Sequence, residues 1–301
     1  MPKPVRIVLQ VLGGLIGLVL IVILGASAVS AMRLKKHYDV AGKVVPQPTD
    51  SASLARGKAL ATLYGCTGCH TANLGGQQLI DAFPMAKLAT SNLTRGAGGV
   101  AATYTDADWD RAIRHGIRPD GTPLVLMPSA AFNRMSDDEF GRVLAYVKSV
   151  PAVDRTPAPR VMYPIARVLH AFRLGPEPLV PVEVIDHTAQ RNPQPAPGPT
   201  LEYGEYVASA CRFCHGENLG GQAVGGEPGA PPSPPIGPNS VVSRWTEAQF
   251  VQTLRTGTTP EGRKLNPKYM PWDAVGTLHD DELHALYTYL HQLTPEKVAA
   301  N

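Results

Sequence analysis

Cys66-Thr67-Gly68-Cys69-His70 and Cys211-Arg212-Phe213-Cys214-His215 use all 4 cysteines of the 301-residue chain. Each reads as a C-x-x-C-H attachment site for c-type haem. Two thioether bonds would hold the porphyrin, and the histidine after the second cysteine stands ready as proximal iron ligand through its imidazole. The alternatives are a four-cysteine zinc site, a redox dithiol or a disulfide framework. Zinc gives no reason for a histidine directly after both pairs.

The motifs anchor a repeat. At an offset of 145 residues, Asn73-Leu74-Gly75-Gly76-Gln77 falls on Asn218-Leu219-Gly220-Gly221-Gln222, five identities in a row. At an offset of 141, Trp109 falls on Phe250, Ile113 on Leu254, Arg114 on Arg255, Gly116 on Gly257, Pro119 on Pro260, Gly121 on Gly262 and Leu124 on Leu265. One domain therefore occurs twice. An offset of 143 superposes Met127-Pro128 on Met270-Pro271, and Met270 is the only methionine after the second motif. A neutral thioether opposite histidine makes a six-coordinate iron suited to electron transfer. Met85 and Met135 rival Met127 if the methionines are only pliable core residues.

Helical signals surround these residues. Ser136-Asp137-Asp138-Glu139 has the form of a capping box, and Phe140, Val143, Leu144 and Val147 follow at helical spacing. Leu283, Leu286, Tyr287 and Leu290 repeat that stripe. Another helix is expected from Thr105 to Gly116 in one copy and from Thr246 to Gly257 in the other. No stretch of alternating β-branched residues predicts a sheet, so the expected domain is all-α.

Ile7 to Val29 is almost uninterruptedly apolar and long enough to cross a bilayer. Lys3 and Arg6 precede it, and Arg33, Lys35 and Lys36 follow, so the basic-residue rule leaves orientation open. Ala26-Ser27-Ala28 has the small-x-small form of a signal-peptidase site, but secretory apolar cores usually run only about 7 to 15 residues; a retained anchor is expected. The formal charge of +3 is carried by the first 40 residues. No basic face stands out beyond them, so a nucleic-acid role is disfavoured. Residues 51–150 carry 10 basic and 8 acidic side chains, whereas residues 200–301 carry 7 and 11. Such unequal surfaces can steer different partners.

Residues 151–199 hold 11 prolines, the mark of an extended connector. Within it Val161, Ile165, Val168, Leu169 and Phe172 share one helical face, so a short amphipathic helix is expected to dock between the domains or lie on a membrane surface. Gly225 to Pro238 is expected to loop near the second haem and cover its edge.

These residues resemble the membrane-associated multi-haem cytochromes c, in particular the cytochrome subunits of periplasmic alcohol, aldehyde and sugar-acid dehydrogenase complexes. Carriers of the resemblance are both C-x-x-C-H motifs, Asn92-Leu93-Thr94, Tyr104-Thr105 through Arg114-His115-Gly116, Asp120-Gly121, Met127-Pro128, and the helix ending at Tyr146-Val147 and Pro151. The residues themselves give an N-terminal transmembrane helix (1–40) followed by two tandem cytochrome c-type domains (51–150 and 200–301) joined by the connector (151–199). Such subunits usually have three haem domains, and this chain shows two. Two covalently bound haem c groups are expected, on Cys66 and Cys69 and on Cys211 and Cys214, with axial pairs His70/Met127 and His215/Met270. Asn92, Tyr104, Trp109, Arg244 and Trp245 are candidates to line the pockets, although core packing explains them equally.

The function expected is electron relay on the periplasmic side of a bacterial inner membrane. Its partners would be a dehydrogenase donor and a terminal oxidase or soluble cytochrome acceptor, with no substrate transformed by the chain itself. The rival is a dihaem peroxidase-like enzyme with one haem open or bis-histidine ligated, the second axial histidine then being His115 in the first domain and His279 or His284 in the second.

Overall fold

A computed structural model describes residues 2–174, 179–188, 194–222 and 231–293. Helix α1 (Lys3–Leu34) is a single rod whose flank is open along most of its length. Its 32 residues give about 48 Å at 1.5 Å per residue. Among the described residues it is the one helix long and apolar enough to cross a membrane.

The first domain is built from α2 (Ser51–Leu63), α3 (Cys66–His70), α4 (Asp106–His115), α5 (Ser129–Phe132) and α6 (Asp137–Ser149). A short helix α7 (Pro164–Ala171) belongs to the connector. The second domain repeats the set as α8 (Leu201–Ala208), α9 (Arg212–His215), α10 (Glu247–Thr256), α11 (Trp272–Val275) and α12 (Asp280–Gln292). In each domain the first and last helices are the principal packing pair, α2 on α6 and α8 on α12.

Both pairs cross at a glycine. A Cβ on Gly57 would lie 2.1 Å from the Arg142 carbonyl oxygen, and one on Gly204 2.2 Å from that of Ala285. Backbone-to-backbone approach of that kind excludes any side chain. Gly57→Val and Gly204→Val are each expected to cost about 1–3 kcal/mol through overpacking, read as a lowered Tm of the domain concerned.

The caps form largely as the sequence requires. In α4, Thr105 Oγ1 accepts from Asp108 N (3.2 Å) while Thr105 N donates to Asp108 Oδ2 (2.9 Å), and Gly116 ends the helix at φ 69°. Thr246 and Gln249 do the same for α10, which stops at Gly257 with φ 68°. At α6 only half the box forms. Ser136 Oγ accepts from Glu139 N (3.2 Å), but the Glu139 carboxylate turns away toward Arg56 and Tyr206.

Two expectations need correction. The fold is mostly helical, yet β1 (Gln78–Ala82), β2 (Ala86–Ala89) and β3 (Val161–Met162) form a small antiparallel sheet in the order β1-β2-β3. Its Gln, Ala and Lys residues carry no β pattern. The third strand comes from the connector, so pairing is decided by chain wrapping rather than by local preference.

The connector is also not simply extended. Helix α7 does form, but it packs on α1 rather than between the domains. Ser30 Oγ bonds His170 Nδ1 at 2.9 Å, and Arg33 of α1 pairs with Glu183 further along the connector. Ala86, Leu88, Met162 and Ala166 close over Leu34 as a small core of their own. Residues 175–178 and 189–193 of the connector, and 294–301 at the end of the second domain, lie outside the described residues.

Candidate functional site

Among the described residues each domain lines an apolar cavity that bears its own C-x-x-C-H motif. The first is lined by Cys66, Cys69, His70 and Met127, the second by Cys211, Cys214, His215 and Met270. The four sulfurs therefore serve two separate clefts. Burial first, then the neighbouring cysteine, pushes the Cys66 and Cys211 thiols up to about 12.

The repeated Asn-Leu-Gly-Gly-Gln segment has a local reason. Asn73 Oδ1 accepts from Gly75 N and Asn218 Oδ1 from Gly220 N, each at 3.0 Å. Leu74 and Leu219 take left-handed backbone at φ 56° and 58°. The chain so turned sends Gly76 N back to the His70 carbonyl and Gly221 N to that of His215, both at 2.8 Å. Gln77 Nε2 then donates to Gly68 O and Gln222 Nε2 to Phe213 O, both at 2.9 Å. The segment is a clasp on the haem motif.

Both histidines are oriented through one ring nitrogen. His70 Nδ1 lies 2.8 Å from the Ser91 carbonyl oxygen, and His215 Nδ1 2.8 Å from that of Pro234. With the proton held on Nδ1, Nε2 keeps its lone pair, the arrangement that orients a metal-ligating histidine. Burial lowers both imidazoles below the usual histidine range, against the carbonyl contacts, which favours the neutral form.

The methionines also sit in matched settings. Ser129 N bonds the Met127 carbonyl at 2.8 Å and Trp272 N that of Met270 at 2.6 Å, and a short helix, α5 or α11, begins after the Met-Pro pair. Met85 is absent from the first cavity wall. Met135 joins it but is 2% exposed and fixed in the core.

The walls suit a group that is apolar in body and anionic at one edge. Trp109 Nε1 is buried with no partner among the described residues. Arg118 and Arg160 line the same cavity, Arg118 partly buried with burial holding its guanidinium below the usual range and Arg160 exposed. A haem presents that combination, a broad apolar face with two carboxylates, so these residues fit it.

Of the remaining candidates, Tyr104 and Trp109 line the first cavity and Trp245 the second. Asn92 and Arg244 line neither. Asn92 is fully buried and donates to the carbonyls of Val153 (2.6 Å) and Arg155 (3.1 Å), tying the connector to the first domain. Arg244 is exposed. The loop expected to cover the second haem contributes Pro231 to Ile236 to that cavity, and its residues 225–230 lie outside the described ones. Arg118, Arg160 and the histidine-holding carbonyls carry no spacing signal in the sequence.

The two cavities approach each other. Phe213 of the second motif lines the first cavity, and Leu63, just before the first motif, lines the second.

Comparison with known proteins agrees with this geometry. The family described as "Cytochrome c" matches residues 54–151, and that described as "Cytochrome C oxidase, cbb3-type, subunit III" matches residues 202–290. The chain is 27% identical over 296 residues to the fructose dehydrogenase cytochrome subunit of Gluconobacter japonicus, covering 90% of this chain and 59% of that one. It is 29% identical over 280 residues to the alcohol dehydrogenase (quinone) cytochrome c subunit of Gluconacetobacter polyoxogenes, covering 82% and 57%. The corresponding cytochrome c subunit of Gluconobacter oxydans is 28% identical over 287 residues, 84% of this chain and 57% of that one. The chain thus spans less than two thirds of the length of these relatives. With a family match over residues 54–151 and another over 202–290, and a C-x-x-C-H motif in each cavity, the chain carries two tandem cytochrome c-type domains, each built to hold a haem c.

Proposed function

We propose that the chain relays single electrons from a dehydrogenase to a downstream oxidase or soluble cytochrome, held by α1 at the outer face of a bacterial inner membrane. One observation carries the reading: each cavity assembles two cysteines, a histidine fixed through Nδ1, and a methionine from the Met-Pro turn. Haem c, when bound, supplies an iron that cycles between two oxidation states. The protein's part is to attach and bury it and fill both axial positions. Cys66, Cys69, Cys211 and Cys214 would hold the haems through thioethers, and His70 with Met127 and His215 with Met270 would ligate the irons. Phe213 and Leu63, each in the other domain's cavity wall, support direct exchange between the two centres.

The names of the relatives, cytochrome subunits of dehydrogenases, support a dehydrogenase as donor. The packing of Ala26 and Ser30, 4% and 0% exposed, supports a retained anchor that is part of the folded protein.

The bis-histidine form of the peroxidase-like alternative finds no support in the cavity walls. His115 pairs with His187 at 2.9 Å, His284 lies 2.5 Å from Glu247, His279 caps α12, and none of them lines either cavity.

The weak far-red band of methionine bound to ferric haem tests the reading. Intensity equal to two such haems per chain is expected, together with haem that survives denaturing electrophoresis. Half intensity would replace the relay by an enzyme with one open or bis-histidine centre. The unequal charge of the domains adds a second expectation: reduction by donor and oxidation by acceptor will show different ionic-strength slopes. Identical slopes would mean one shared docking face.

A further inference from the structure

The interface between the domains is built around one cation and two buried carboxylates. Arg56 of α2 donates to Glu282 of α12 through Nη2 to Oε1 (2.7 Å) and Nη1 to Oε2 (3.1 Å), and through Nη2 to Glu139 Oε1 of α6 at 3.2 Å. The Glu139, Glu282 and Arg56 side chains are 6%, 5% and 19% exposed. Two acids facing one base leave a surplus negative charge in a poorly solvated place.

The acids are not held equally. Glu282 takes both guanidinium nitrogens, the Tyr203 hydroxyl (3.0 Å) and the His279 backbone N–H (2.8 Å). Glu139 takes the longer guanidinium contact, the Tyr206 hydroxyl at 2.6 Å and a distant Tyr64 hydroxyl at 3.5 Å. Among the described residues Arg56, Glu282, Tyr206 and Tyr64 are the ionisable groups that face the Glu139 carboxylate. Glu139 is the acid with the weaker claim on Arg56.

Its place matters for the relay. Tyr64, the neighbour of Glu139, lines the first haem cavity, while Leu63 and Ala210 line both the second cavity and the small gap beside the cluster.

We propose that Glu139 is a proton site linked to haem reduction: an electron from the donor converts Fe(III) to Fe(II), and the Glu139 carboxylate takes one proton from solvent to become the carboxylic acid. Oxidation returns both. The inference rests on the two-haem reading. Each electron adds negative charge beside an interface that already has a surplus, and protonation of the loosely held acid is the local way to relieve it. Burial already lifts the Glu139 carboxyl above its usual range, which favours the same response.

The test is a potentiometric titration of the full chain in detergent at several pH values between about 5 and 9. The wild-type midpoint potentials are expected to fall as pH rises. In Glu139→Gln they should be higher at alkaline pH and the pH dependence flattened. An infrared difference spectrum, reduced minus oxidised, should show a protonated-carboxyl band that the variant lacks. Should the variant fail to mature, the wild-type band and dye-detected proton uptake on reduction decide the matter, and absence of either overturns the proposal. With both haems covalently bound, an unchanged pH dependence in Glu139→Gln overturns it alone. Haem-free protein would overturn the two-haem reading instead.

Discussion

Replacing Met127 or Met270 by alanine should leave haem covalently attached, while the affected domain loses its far-red band, binds carbon monoxide, and drops in potential by on the order of 0.1–0.3 V, within the ~0.8 V range that axial ligands control. The thioethers and the histidine are untouched in such a variant, which is why attachment survives. The missing thioether opens a coordination position and removes the ligand that favours Fe(II), which is why the potential falls. Each effect should be confined to one haem, because each methionine lines only its own domain's cavity. Spectroelectrochemistry resolves the two centres. Unchanged potential and no carbon monoxide binding in Met127→Ala would assign the sixth position to Met135, the other methionine in that wall.

Arg56→Leu is the second change with a large expected effect, although it lies outside both haem cavities. It leaves Glu139 and Glu282 buried against each other without their shared cation, and breaking a buried pair in this way costs about 3–5 kcal/mol. The loss should show as a lowered denaturation midpoint and slower exchange between the haems, since the same residues hold the domains together. The sign of its pH dependence follows from the effect of burial on Glu139. Its folded-state value lies above its unfolded one, so protonation favours the folded state, and stability is gained as pH falls through that folded value. Arg56→Leu should therefore be partly rescued in mild acid. A variant equally unstable at all pH values would mean that Arg56 acts through packing alone.

The relation of the two domains also bears on the relay. Two free-swinging modules would exchange electrons at a rate set by collision. Here the second motif's Phe213 is part of the first cavity's wall and an ion-pair cluster closes the interface beside it. Spacing is then a property of the fold. Helix α1 is tied to the connector through Ser30 with His170 of α7 and Arg33 with Glu183, and β3 of the connector pairs with β2 of the first domain.

The sequence by itself determined the duplicated helical domain, both C-x-x-C-H motifs, the Met-Pro pairs, the caps at Thr105 and Thr246 with their glycine stops, and the apolar N-terminal helix. All of these are encoded within a few residues of one another or by a repeat offset, so local chemistry suffices to read them. Tertiary structure alone decided which carbonyls hold His70 and His215, that Arg118 and Arg160 rather than Arg244 reach a cavity, that Asn92 ties down the connector, and that β3 completes a sheet. It also turned Glu139 from a helix cap into half of an interdomain acid pair. These contacts join residues distant in the chain, where partner choice depends on how the two domains and the connector close on each other, and no periodicity or spacing records that closure.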